Sequence, residues 1–129
     1  DPFHSAQGVP AEDYYTNLLL DAVNEGKLTM EKLVEITSVN GARALNWKEK
    51  GTNAIGTDAD FTICDLSRVW KADESYPIYS KPGLDAMYGQ TLKGKVTHTI
   101  VRGQIVMKED EILVTPGYGK FIKPQESKE

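Results

Sequence analysis

The sequence predicts an α/β chain in which helices come first and strands follow. Apolar residues recur at helical spacing before residue 46 and alternate with polar ones after residue 60. Between them lies Lys50-Gly51-Thr52-Asn53-Ala54-Ile55-Gly56-Thr57-Asp58-Ala59-Asp60, with a glycine on each side of a short segment. Gly51 and Gly56 suit turns, and Asp58 and Asp60 suit Asx-type turns closed onto their own backbone.

The first ten residues, with Pro2, Gly8 and Pro10, read as a loop. Pro10 suits the first turn of a helix, and Glu12 and Asp13 favour its positive end. Tyr15, Leu18, Leu19, Ala22 and Val23 then form one apolar stripe that ends at Gly26. Thr29 is placed to cap a second helix, with Glu31 in its first turn and Leu33, Ile36 and Thr37 on the buried side. Ser38 to Asn40 is expected to interrupt it. Asn40 can cap a third helix through Ala42, Ala44 and Leu45, which Asn46 or the following lysines end. These helices are too short to enclose a core, so their stripes need a wall to cover.

Phe61 to Leu66 reads as a strand. From Leu66 to Pro82 an extended arm carries Trp70, Tyr76 and Tyr79, with a short strand at Val69 to Lys71; aromatic residues in such an arm more often anchor it to a neighbouring surface than bind a ligand. Leu84 to Gln90 is a loop. Lys95–Val101 and Gln104–Met107 form a β-hairpin across Arg102-Gly103, and Glu109-Asp110 turns the chain into Ile112 to Val114.

With 129 residues, 40% of them hydrophobic, the chain can bury a core. Its net charge of −4 without a basic cluster argues against nucleic acid or an anionic membrane surface as partner. Cys64 is the single cysteine, which excludes an internal disulfide framework and makes a reducing, cytoplasmic setting the expectation. No apolar run reaches membrane-spanning length.

Candidate chemistry is sparse. His4 lies in the first loop and His98 in a strand, without a second histidine at metal-site spacing. His98, on the face shared by Val96 and Ile100, reads as a satisfied core or interface histidine, and Cys64 as a small buried hydrophobe. Gly117-x-Gly119 follows no strand-to-helix transition, so a phosphate loop is not expected there. No Ser, His and Asp spacing suggests a triad.

Lys50-Gly51, Gly56 and Asp58-Ala59-Asp60 before an apolar strand closely resemble the signature near the C-terminus of the cyclic amidohydrolases, the family of dihydroorotase, dihydropyrimidinase (hydantoinase) and allantoinase. The similarity extends upstream through Gly26 to Asn40. Downstream it takes in Leu92-Lys93-Gly94-Lys95-Val96, Thr99 to Gly103 and Gly117 to Ile122. Two positions depart from the pattern: Asn53 stands where the family usually has an apolar residue, and Gly41 where it usually has proline.

The resemblance implies that residues 1–48 form the last loop and helices of a (β/α)8 metal-dependent hydrolase barrel. Residues 49–123 would be the C-terminal strands of a small β-sandwich, and 124–129 a disordered tail. It implies a hydrolase that opens a ring C–N amide bond, using two zinc ions held by residues upstream of this chain. Asp1 lacks the Asp-His pairing of the family's last metal-binding aspartate, so neither a catalytic residue nor a metal ligand is expected here. Gln7, Gly8, Val9 and Pro10 resemble the loop whose backbone groups bind the substrate ring, an edge complementary to the alternating N–H and C=O groups of a cyclic imide or ureide. His4 would lie in the same loop.

The expected partners are the missing N-terminal part of the same enzyme, the cyclic amide and, in a homo-oligomer, further copies. Two other readings compete: a non-catalytic dihydropyrimidinase-like homologue serving assembly or partner binding, and an independent small domain.

Overall fold

A computed structural model of the chain describes residues 11–79 and 87–124. Three sequence expectations fall on other residues: the loop 1–10 with Pro10 in a first helical turn, residues 84–86 of the loop before the second strand, and the tail beyond 124. Helix α1 spans Tyr15–Asn24, α2 Met30–Val34 and α3 Asn40–Ala44; the strands are β1 Phe61–Lys71, β2 Thr91–Val101, β3 Gln104–Lys108 and β4 Glu111–Ile112. The strands form one antiparallel sheet in the order β1-β2-β3-β4.

Local signals place most of these elements. Thr29 caps α2, its hydroxyl accepting from Lys32 N at 3.2 Å. Asn46 ends the helical part with φ 52°, the left-handed conformation that asparagine tolerates. Arg102 and Gly103, at φ 51° and 80°, make the two-residue turn between β2 and β3, and Glu109 and Asp110 make the next one at 49° and 69°.

Asn40 does not cap a separate helix. The backbone stays helical from α2 to α3 through one π turn, Glu35–Val39, and the Asn40 N–H reaches back to Glu35 O. The extra residue is held by side chains: Thr37 Oγ1 donates to Leu33 O at 2.8 Å, and Asn40 Nδ2 lies 3.5 Å from Glu35 Oε1. A second correction concerns β1, which runs unbroken from Phe61 to Lys71. Asp65 pairs with Lys95 and Val69 with Lys93, so Leu66, Ser67 and Arg68 bulge opposite Gly94. Asp65 Oδ1 takes both the N–H and the hydroxyl of Ser67, which closes the bulge locally.

The face that α1 buries also differs from the predicted stripe. Tyr15 is 46% exposed and Leu18, Leu19, Ala22 and Val23 are half-buried, whereas Asn17 and Leu20 are buried, with Tyr14 just ahead of them. The reason lies in the sheet. β3 pairs only with residues 98–101 of β2, leaving the outer edge of residues 91–97 without a strand. Helix α1 covers that edge with polar side chains: Asn17 Oδ1 accepts from Val96 N at 2.8 Å, Asp21 Oδ1 from Lys93 N at 2.7 Å, and Asn24 Nδ2 donates to Lys93 O at 2.9 Å. Backbone groups that would be costly to bury unpaired are thereby satisfied.

The core forms where α1, β1, β2 and the arm after β1 meet. Tyr14, Trp70, Ala72, Tyr76 and Leu92 are buried together, with Ala11, Leu18, Ile78 and Met87 against them. Trp70 and Tyr76 thus anchor the arm inside this unit, their rings 4.6 Å apart, and Trp70 Nε1 donates to Gly94 O. Helices α2 and α3 lie beside α1 and the 46–51 loop rather than on the sheet, and they leave Val34, Ile36 and Leu45 exposed.

Candidate functional site

Gln7, Gly8, Val9, Pro10 and His4 lie outside the described residues. What the structure does describe is the turn into which that loop feeds. Tyr14 N and Tyr15 N both donate to Ala11 O, at 3.1 and 2.7 Å, closing the turn that leads into α1. Asp13 in this turn is held by the arm: Tyr76 Oη donates to its carbonyl at 3.1 Å and Tyr79 N to its carboxylate at 3.2 Å. Tyr76 Oη in turn accepts from Asn17 Nδ2 at 2.8 Å, and Asn17 reaches the sheet at Val96. Burial, with the Asp110 carboxylate adding to it, pushes the Tyr76 phenol up to about 12, so it stays neutral and able to donate.

Below this turn is a cavity of about 320 Å³, lined among others by Asp13, Asn17, Tyr76, Thr99, Met107 and Asp110. Lys95 Nζ pairs with Asp110 and sits 5.4 Å from the Tyr76 ring. The Asp110 carboxylate is therefore held by a cation, in a cavity also lined by Val96, Val106, Met107 and Ile112, and the arrangement suits packing or binding rather than proton transfer.

The Lys-Gly to Asp-Ala-Asp segment is a clasp, not a reactive centre. Lys50 Nζ, little exposed, pairs with Asp58 at 2.6 Å and with Asp60. Asp60 Oδ1 also accepts from Arg102 N at 2.7 Å, and Gly103 N donates to Ala59 O at 2.8 Å, so the loop is tied to the β2–β3 turn. The Arg102 guanidinium lies 4.8 Å from the Tyr118 ring centre and donates to Tyr118 O, fastening the segment after β4 to the same turn. The two carboxylates thus bond Lys50 and Arg102 N rather than closing Asx turns on their own backbone. Partial burial works against the Asp60 anion, but the Lys50 and Arg102 contacts outweigh it and hold its carboxyl below the usual carboxylate range. Burial likewise opposes the Lys50 cation, and Asp58 and Asp60 overcome it, raising Lys50 above its ordinary value.

His98 is half-buried between Ile63 and Lys108, its Nδ1 3.1 Å from Thr97 Oγ1, as a satisfied strand histidine would be. Cys64 is half-buried rather than fully buried, and that burial pushes its thiol up, away from the thiolate that a nucleophile or metal ligand needs. Among the described residues, no group of three or more His, Cys, Asp or Glu could hold a metal ion, and no helix is long and apolar enough to cross a membrane.

Asn17, Asp21, Asn24 and Tyr76 organise the turn and the edge, and the apolar stripe pointed away from them. Residues 17, 21 and 24 do share one helical face, but a polar face opposite an apolar stripe ordinarily meets water, so nothing in the sequence marked it as the face that docks.

Comparison with known proteins agrees with this architecture. A family model described as the amidohydrolase family matches residues 12–106. The dihydroorotase of Pyrococcus furiosus is 41% identical over 120 residues, which cover 92% of this chain and 28% of that protein. The L-hydantoinase of Paenarthrobacter aurescens is 35% identical over 106 residues, covering 81% and 23%. Among solved structures, a D-hydantoinase superposes with a TM-score of 0.80 at 25% identity, over 96% of this chain and 27% of that one. The L-hydantoinase (dihydropyrimidinase) from Arthrobacter aurescens gives 0.73 at 33% identity, over 83% and 24%. The chain therefore spans about a quarter of the length of these relatives, between 23% and 28%. With most of its length inside the family model and relatives above 30% identity along nearly all of it, this chain belongs to the amidohydrolase family.

Proposed function

We propose that this chain is the C-terminal portion of a cyclic amidohydrolase that opens a ring C–N amide bond in a dihydroorotate-like substrate, with dihydropyrimidine, hydantoin and allantoin rings as the related possibilities. The observation that carries the proposal is the continuous similarity to a dihydroorotase over 92% of the chain. Residues 1–48 would close the family's (β/α)8 barrel, and residues 49–123 would contribute strands to a small β-sandwich. Gln7, Gly8, Val9 and Pro10 would present backbone groups to the substrate ring. The intact enzyme would be cytoplasmic and oligomeric.

Two zinc ions would supply hydroxide and polarise the carbonyl in the intact enzyme. The described residues do not fit them: no group of three or more His, Cys, Asp or Glu lies together among them, and the carboxylates of Asp58 and Asp60 are both bonded to Lys50. On this reading the metal ligands would be supplied upstream of this chain in the intact enzyme. A composite fold is supported by what this chain leaves uncovered. β1 is an edge strand with Phe61, Ile63, Leu66 and Val69 between 37% and 62% exposed, and the buried Trp47 Nε1 has no acceptor among the described residues.

The test is ring opening by the intact, zinc-loaded protein, followed by loss of substrate absorbance for dihydroorotate, dihydrouracil, hydantoin and allantoin. Turnover of one of these is the expected result. A folded, metal-loaded protein that opens none of them refutes the proposal.

A further inference from the structure

We infer that residues 119–123 are an arm that docks on α2 of a second copy of the protein, the two copies exchanging arms. The inference rests on the reading above that the intact enzyme is an oligomer, and it is independent of the ring that the enzyme opens. Tyr118 roots the arm on the β2–β3 turn: its hydroxyl donates to Val101 O at 3.0 Å, and its carbonyl accepts from Arg102 Nη2 at 3.1 Å. Beyond that root, Lys120, Phe121, Ile122 and Lys123 make no hydrogen bond or ion pair with any described residue. Phe121 is 87% exposed, more than any other aromatic side chain among the described residues. An apolar pair held out in water between two unpaired lysines suits a contact with another surface rather than this chain's own core.

A surface of the matching kind lies on α2. Met30 and Val34, four residues apart, share one helical face, and the π turn brings Val39, five residues further on, into the same row. With Glu31 and Glu35 they line an open groove of about 410 Å³. Glu35 is bonded to Lys32 at 2.9 Å, while the Glu31 carboxylate has no partner among the described residues. An apolar row edged by carboxylates thus complements an apolar pair edged by lysines, and the charges set the register in which the two meet. Phe121 and Val34 are both exposed, so the arm does not cover the groove of its own chain. Every copy carries one arm and one groove, so two copies related by a two-fold axis satisfy both at once and leave neither open.

The experiment is sedimentation equilibrium of the intact protein, wild type against Phe121→Ala, which removes the arm's anchor, and Val34→Asp, which spoils the groove. Each variant alone is expected to raise the dissociation constant by about thirtyfold or more, because both exchanged contacts are lost. An equimolar mixture of the two is expected to associate more tightly than either alone, because the arm of the Val34→Asp copy still meets the groove of the Phe121→Ala copy. If Val34→Asp does not fold, Glu31→Lys at the groove's rim takes its place in the mixture. A mixture that associates no more tightly than its components overturns the pairing of arm with groove. An oligomer that Phe121→Ala leaves intact overturns the exchange alone, whereas a monomeric wild type overturns the oligomeric reading with it. Ring opening, measured on the same samples, keeps the two apart: a protein that exchanges arms but opens no ring refutes the proposed reaction and leaves the exchange standing.

Discussion

Gly94 is where helix, bulge and core meet, and replacing it with alanine should undo that junction. Its φ of +106° is one that side chains rarely adopt, and a Cβ built there would lie 2.6 Å from Leu20 Cβ and 3.2 Å from both Leu20 C and Asn24 Nδ2. Leu20 is 0% exposed and its backbone belongs to α1, so the neighbour that must yield is a whole helix rather than a side-chain tip. The conformational strain amounts to about 1–2 kcal/mol and the overpacking to about 1–3 kcal/mol, together about 2–5 kcal/mol. Moving α1 outward would also break the Asp21 and Asn24 bonds to Lys93. In amide exchange this opening energy corresponds to a loss of protection across residues 15–24 of about thirtyfold or more, at one factor of ten per about 1.4 kcal/mol. Gly103→Ala is the control: its φ is +80° but nothing lies within 4 Å of the added Cβ, so strain acts without a clash and only at the hairpin. If Gly94→Ala leaves α1 as well protected as Gly103→Ala does, the close approach of α1 to β2 is not what holds the helix.

Other perturbations test other parts of the fold. The Lys50 clasp should show in acid: Asp60 titrates below its unfolded value near about 4, so its contribution is present above that pH and is lost as pH falls through the folded value. Lys50→Met should then be less stable than wild type at neutral pH, with the difference narrowing below pH of about 4; a difference that does not change with pH would show that the ion pairs are not its source. Tyr76 acts at the other end. Its phenol titrates near 12 in the fold against about 10 unfolded, so its contribution is present below pH of about 10 and disappears as pH climbs to about 12, a loss that Tyr76→Phe should remove from alkaline unfolding curves. The isolated chain should bind no zinc stoichiometrically, hydrolyse no cyclic amide and associate through its open β1 edge; a metal ion per chain that survives dialysis, or a monomeric, cooperatively melting species by sedimentation and calorimetry, contradicts this. In the intact enzyme, one residue inserted beside Gly8 should cut kcat/KM by about tenfold or more, while Gln7→Ala matters much less because main-chain atoms make the contact. The reverse order of effects would mean that the Gln7 side chain reads the ring.

Interactions that close within a few residues were legible in the sequence: the Thr29 cap, the left-handed Asn46, the Arg102-Gly103 turn and the alternation that makes β2 and β3 are set by neighbours in the chain, and neighbours in the chain are what a sequence displays. Family membership was legible for a related reason, because the order of motifs from Gly26 to Ile122 survives whether or not their contacts are known. The face of α1 was decided elsewhere. Apolar periodicity favours Leu18, Leu19, Ala22 and Val23, but the outer edge of β2, some seventy residues away, presents unpaired amide and carbonyl groups, and covering those requires Asn17, Asp21 and Asn24. The same holds for Asp60, whose carboxylate goes not to its own turn but to Lys50 and Arg102, and for β1, which runs on through a bulge because Lys95 and Lys93 keep pairing on either side of Gly94. A buried backbone group must be paired with something, and which side chain does it depends on where the sheet ends, a property that exists only once the chain has folded.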